Sequence, residues 1–471
     1  METADKYQPF SQKVVLMKYV IHDGITADPG STLPNGLPET STKDLLRNVL
    51  RSGITDTRDQ LAFKLRRSRA RSSTFMDKPL ASCNDESLLL NELTEWIDEK
   101  RKHNPVVAVL APWYEDATLE RSEGYIRRIK EIDSSVLKDC SCIYLYECPY
   151  HRVNRPVVDR ISENRLYIRY NSDFRAQREL ADDIIMSCDC CYCHSVLRLI
   201  PAFHPEREDR WLHFADRKPE SVILDIHGAV TEEAKTVGDL EILPWAEKAE
   251  SILFENIRYA VSLTENMERY FSEKYGRRDI EYFRTPVMSQ DIRNDDGCMI
   301  KDSFPEIVVY SGGCQKWQNI DMMIQAIKDN ISEFRFCIFV SRPDVFINKW
   351  GNEPIPDNVT VKNGTPEEIS EVYRKAVLGF ILRDDTAVNR VACPTKLMEY
   401  IQFGIIPVIK SPNIGDFGEL GLKALSVQNM TQAHDREKIT GFVNINNGIV
   451  DELRAQNIRN MQALKNFING R

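Results

Sequence analysis

LRDDTAVNRVACPTKLMEYIQFGIIPVI (382–409) is the stretch whose reading decides the fold. The apolar run VLGFILR (377–383) reads as a strand and leads into a polar loop. Pro394 stands where a helix begins, Lys396 falls in its first turn, Gly404 ends it, and GIIPVIK (404–410) starts the next strand at once. Strand, helix and strand joined this tightly make a parallel βαβ unit. Lys396 and Glu399 are three residues apart, on one face near the helix N-terminus. A cation there opposes the helix dipole unless an anion meets it. The spacing fits an exposed i, i+3 ion pair equally well.

The same alternation extends on both sides. EIVVYSGG (306–313), FRFCIFVS (334–341) and NVTVKNG (358–364) read as strands, and NIDMMIQAIKD (319–329) as a helix packed on a sheet. Thr365-Pro366-Glu367-Glu368 is a capping box with Pro at the first helical position. Upstream, PVVAVLAP (105–112), CIYLYE (142–147), RLYIRY (165–170) and SVILDIHG (221–228) are strand candidates. ADDIIMS (181–187) is another, although its run also fits a helix end. Helices are expected at 122–133, 245–257 and 265–275, the last capped by Thr264. The polar stretch DIRNDDG (291–297) reads as a linker. The fold class is therefore α/β, with two Rossmann-like domains facing a cleft. The expected division is an N-terminal extension 1–104, a first domain 105–290, a second domain 291–448 and a C-terminal helix 449–471 that packs back on the first domain.

Neither half carries GxGxxG or a P-loop, so dinucleotide and P-loop NTPase readings lose their main support. A nucleotide would have to be held on a bare helix N-terminus, whose unpaired N–H groups and positive dipole end suit a diphosphate.

The 471 residues include 62 Lys plus Arg against 71 Asp plus Glu, a net charge of −9 that removes the broad electrostatic argument for nucleic-acid binding. No apolar run reaches the ~18–20 residues of a membrane-spanning helix. The start, METADKYQPFSQK, lacks the apolar core of a secretory signal, so a cytoplasmic protein with reduced thiols is expected. Cys188, Cys190, Cys191, Cys193 and His194 could be read as metal ligands, although structural zinc sites usually use two separated ligand pairs. Alternation along a strand would split them between faces, and incidental thiols are the reading preferred. Residues 64–71 (KLRRSRAR) form a basic run, read as a solvated helix face or as a peripheral contact with the inner face of a membrane.

The block from Asn389 to Ile409, with Pro394, Lys396, Glu399, Gly404 and Pro407, resembles the donor-binding segment of retaining glycosyltransferases of family four, which have the GT-B fold. VVYSGGCQKWQNIDMMIQAI (308–327), NVTVKNGTPEEISEVYRKAVLGFILR (358–383), VILDIHGAVTEE (222–233) and 246–276 extend the resemblance over about 105–460. It implies that Glu399 binds the ribose hydroxyls of a nucleoside diphosphate sugar, and that Thr395, Lys396 and Leu397 present N–H groups to the diphosphate. Lys396 and Arg390 would add positive charge, Gly312 and Gly313 would let the phosphates approach, and His227 would face the transferred sugar. The sequence departs from the family pattern in three places. Gly313 and Gln318 stand where many members have Arg and Lys, which brings Lys316 in as a phosphate contact. Val391 stands eight positions before Glu399 where a second glutamate is common, leaving Asp384 or Asp385 as loop carboxylates. Ser122-Glu123-Gly124-Tyr125 stands in for a missing Gly-Gly loop.

The activity implied is transfer of a hexosyl group, with retention, to a hydroxyl of a glycan or lipid-linked saccharide in polysaccharide biosynthesis. No metal or other cofactor is required on this reading, and no Asp-x-Asp motif is visible. A 2-epimerase or phosphorylase of the same fold, and a non-catalytic binding or scaffold protein, are the alternatives.

Overall fold

The computed structural model describes residues 86–116, 123–147, 155–171, 174–198, 218–240, 242–288, 306–314 and 316–470. The basic run 64–71, the linker 291–297 and most of the N-terminal extension lie outside the described residues.

The first sheet has eight strands: β1 (Val106–Leu110), β2 (Ser141–Glu147), β3 (Val157–Ser162), β4 (Arg165–Tyr170), β5 (Cys190–His194), β6 (Val222–Asp225), β7 (Tyr259–Ser262) and β8 (Glu281–Arg284). They lie in the order β3-β4-β2-β1-β5-β6-β7-β8, parallel throughout except for the β3–β4 hairpin. β1 (VVAVL) is buried at every position, as a central parallel strand covered on both faces must be. β3 carries charges and ends exposed, which suits an edge.

Helices α1 (Glu86–Arg101), α2 (Glu123–Ser135), α3 (Arg175–Ser187), α4 (Val230–Val237), α5 (Leu243–Asn256) and α6 (Glu265–Tyr275) accompany these strands. α1, assigned by sequence to the extension, packs on α3, and Arg101 bonds Asp189 at 2.7 Å, whose other oxygen accepts from the backbone of Val106. ADDIIMS is not a strand: it is the second half of α3, and Leu180, Ala181, Ile184 and Ile185 are buried at helical spacing. Thr264 caps α6 as expected, accepting from Met267 N at 3.1 Å.

The second sheet contains β9 (Ile307–Gly312), β10 (Arg335–Val340), β11 (Val359–Lys362), β12 (Ala376–Ile381), β13 (Ile406–Ile409) and β14 (Leu425–Ser426). Its order β11-β10-β9-β12-β13-β14, all parallel, is the doubly wound arrangement with its switch point between β9 and β12. Its helices are α7 (Ile320–Asp329), α8 (Pro343–Trp350), α9 (Pro366–Tyr373), α10 (Ala387–Arg390), α11 (Thr395–Gln402) and α12 (Arg436–Asn469). The capping box at Thr365 and Glu368 forms in full. Gly404, with φ of +66°, ends α11.

α12 is continuous for 34 residues, so the sequence boundary at 448/449 falls inside a helix. Its second half lies on the first sheet, where Phe467 packs on Tyr259, Asn460 donates to the carbonyl of Arg284 at 2.7 Å and Lys465 pairs with Asp139 at 2.5 Å. No helix among the described residues is long and apolar enough to cross a membrane.

Candidate active site

In doubly wound sheets ligands sit beyond the carboxyl ends of the strands, at the switch point. The charged groups of both domains gather there. In the second domain β9 ends at Gly312, β12 ends at Ile381 two residues before Arg383, and α11 begins at Thr395 after the short α10. Pro394 occupies the N-cap, so no side chain caps this helix, and the N–H groups of Thr395, Lys396 and Leu397 have no acceptor within it.

Lys396 turns inward rather than pairing with Glu399. Its ammonium stands 3.7 Å from the centre of the Tyr310 ring, a cation–π contact, and rests on Gly312, where an added Cβ would come within 2.5 Å of Nζ. Only a glycine leaves room for it. The lysine is buried and makes no ion pair or hydrogen bond to a described residue. Burial, then the Arg383 charge, hold its pKa well below the usual lysine value, with Glu399 opposing. Arg383 bonds Asn389 Oδ1 at 3.3 Å, while its Nε is buried without a partner among the described residues. Burial lowers its pKa as well.

The other residues singled out by sequence are placed differently. Glu399, on the next turn of α11, takes Arg127 of α2 across the cleft at 3.1 Å. Leu397 is wholly buried in the core, leaving only its N–H for binding, and Thr395 is half-buried. Gly313 accepts from the Tyr310 hydroxyl through its carbonyl at 2.6 Å. Lys316 is exposed on a 3-10 turn. Arg390 points outward in an ion pair with Asp385 at 2.5 Å, so the arginine acting on Lys396 is Arg383, which sequence reasoning missed.

In the first domain the site is built on Asp225, the last residue of β6 and wholly buried. Arg128 grips it from α2, Nε to Oδ2 at 3.1 Å and Nη2 to Oδ1 at 3.3 Å, and the Tyr192 hydroxyl donates at 2.9 Å. His227 Nε2 lies 3.5 Å from Asp225 Oδ2 and 3.3 Å from His194 Nδ1, and the Tyr125 ring stands 5.1 Å from its imidazole. Desolvation works against Asp225, but Arg128 first and then His227 and His194 hold its pKa well below the carboxylate range. Burial pushes His194 down to about 4. One ligand atom each from His194, Asp225 and His227 lies within 4.8 Å of the others, a spacing that suits a metal ion. Arg128 already engages both oxygens of Asp225, so an ion would have to displace a buried guanidinium. The set reads better as a hydrogen-bonded support for His227.

The two halves are tied beside the cleft. Asp416 receives the first two N–H groups of α6, from Glu265 at 2.6 Å and Asn266 at 2.9 Å, and Thr264 Oγ1 donates to the carbonyl of Val391 at 2.8 Å. A helix N-terminus of one domain is thus capped by a carboxylate of the other.

No family model matches the chain, and no curated protein matches it by sequence. Solved structures do share its fold. The OtsA apo structure matches 77% of this chain and 99% of its own at 10% identity, with a TM-score of 0.52. The E. coli trehalose-6-phosphate structure bound with UDP-2-fluoro glucose matches 77% of this chain and 98% of its own at 11% identity, with a TM-score of 0.51. This chain has the GT-B fold, two Rossmann-like domains facing a cleft, as the resemblance to family-four glycosyltransferases implied.

Proposed function

We propose that the protein is a retaining glycosyltransferase that moves a hexosyl group from a nucleoside diphosphate sugar to a hydroxyl acceptor. The observation that carries this reading is Lys396, a buried ammonium with no ion pair among the described residues, in the first turn of an uncapped helix at the switch point. Such a site costs stability until an anion fills it. A diphosphate does so with the N–H groups of Thr395, Lys396 and Leu397 and the charges of Lys396 and Arg383.

In the reaction the bond from the anomeric carbon to the β-phosphate oxygen breaks and a bond to the acceptor oxygen forms. The acceptor proton leaves with the diphosphate, whose growing charge the same groups stabilise. Glu399 accepts the ribose hydroxyls, and His227 faces the sugar. The acceptor proposed is a glycan or lipid-linked saccharide, with the basic run 64–71 as a membrane contact.

Calorimetric titration with UDP, GDP and ADP tests the reading. One of them should bind, and Glu399→Ala should weaken it by about tenfold through loss of charge-assisted hydrogen bonds. Silence from all three would sink the proposal. Arg127 must release Glu399 before ribose can enter, so Arg127→Ala should tighten the same nucleotide by up to about fivefold, the scale of an exposed ion pair.

A further inference from the structure

Helix α4 begins just after His227 and carries three polar side chains in succession. Thr231 donates to Glu250 at 3.0 Å, and Glu232 receives Tyr270 at 2.9 Å and Lys274 at 3.3 Å. Glu233 has no hydrogen-bond or ion-pair partner among the described residues. Its carboxylate lies over the backbone of Gly228, where an added Cβ would come within 2.3 Å of Oε1. Gly228 and Gly312 therefore play matching parts: one seats a carboxylate from the first domain, the other an ammonium from the second.

α4 packs on α10, which places Glu233 at the mouth shared by the two domains. Arg383 is close enough to act on it electrostatically without reaching ion-pair distance. Desolvation raises its pKa above the ordinary glutamate value, with Arg383 opposing and Glu250 adding, while part of the side chain stays open to solvent. The other carboxylates near this end of the sheet are engaged. Asp384 takes Lys410 and Asn319, Asp385 takes Arg390 and Asn413, and Glu399 takes Arg127. Among the described residues, Glu233 is the carboxylate at this mouth whose acceptor capacity is unused.

We propose that Glu233 binds the hydroxyl groups of the transferred hexosyl group, holding it between the His227–Gly228 turn and the Lys396–Arg383 pair. An ionised carboxylate only accepts hydrogen bonds, and two neighbouring hydroxyls of a pyranose can each donate one to it. On this assignment the ring lies between Glu233 and Arg383, its diphosphate toward the cations and its hydroxyls toward the carboxylate. This deepens the glycosyltransferase reading and rests on it.

The test compares each nucleoside diphosphate with its glucose conjugate, UDP with UDP-glucose, GDP with GDP-glucose and ADP with ADP-glucose, by calorimetry on the full chain. Glu233→Ala should weaken the conjugate by about tenfold or more. The bare diphosphate should bind unchanged or slightly tighter, since a negative charge near its site is gone. Gly228→Ala, which crowds the carboxylate out of its seat, should reproduce the pattern with the glutamate still present. Equal weakening of both ligands, or no change in either, would overturn the assignment while leaving the glycosyltransferase reading intact. Failure of the unsubstituted protein to bind any of the six would overturn that reading, and the Glu233 assignment with it.

Discussion

Lys396→Met is expected to lower turnover by about 10²–10³-fold and, at the same time, to make the free protein more stable. The two changes share one cause. Without ligand the ammonium is desolvated, has no carboxylate ion pair among the described residues, and stands against the Tyr310 ring and the edge of Gly312. Methionine fills the same volume without a charge, so the cost of burying an unpaired amine disappears. The gain should be about 1–3 kcal/mol, read as a higher melting temperature. Nucleotide should then lose its power to raise that temperature, because the group it neutralises is absent. The pH dependence separates this account from simple repacking. Lys396 has a folded pKa well below 10.5, so between that lowered value and 10.5 the unfolded chain holds a proton that the folded chain does not. Stability of the unsubstituted protein must rise with pH through this window, and its deficit against Lys396→Met must shrink. Nucleotide binding, which recharges the amine, should take up a proton and weaken over the same range. A variant that lost stability, or whose deficit did not depend on pH, would remove Lys396 from the centre of the site.

The second domain was legible because its local signals agree with its topology. Pro394, the first-turn Lys396 and Gly404 marked α11 to within a residue, and the capping box at Thr365 formed as written. The arginine was harder. Arg390 stands inside the recognisable block, yet Asp385, five residues earlier and across the same turn, draws it outward. Arg383 carried the better physical signal: it stands two residues past a strand buried at every position, at the end of the sheet where ligands bind. Asp225 gave the same signal at the end of VILD. Its partner was visible too, since Arg128 lies on the helix face that also carries Tyr125, Ile129 and Ile132, where a cation is tolerated only if a buried anion meets it. That the anion would be Asp225, 97 residues on, is a fact of the sheet order that no local pattern contains. The cysteine run was split by the strand, but His194 was drawn toward Asp225 and His227 by β6 lying beside β5.

Asp225→Ala is expected to cost about 3–5 kcal/mol of stability, the scale on which removing one member of a buried pair leaves the other uncompensated. Here the abandoned group is Arg128, wholly enclosed, whose Nη2 keeps Thr285 at 2.5 Å and whose Nη1 keeps Glu131 at 3.2 Å but loses its principal anion. Adding Arg128→Met should recover much of the loss. The double variant would then be less damaged than the sum of the single ones, as expected for residues in direct contact. Acid titration should fall into two ranges. His194 has a folded pKa of about 4 against an ordinary 6.5, so the unfolded chain binds the extra proton and stability falls as pH drops from 6.5 toward 4. Asp225 has a folded pKa well below the ordinary value near 4, so its contribution is complete above that value and is lost only as pH falls below it toward the folded pKa. Asp225→Ala should keep the first decline and lose its share of the second. Activity reports separately on His227, which depends on Asp225 and His194 for its orientation. The double variant, stable again but lacking the carboxylate, should remain poorly active. Full recovery of activity with stability would show that the buried network serves folding alone and that His227 needs no support from it.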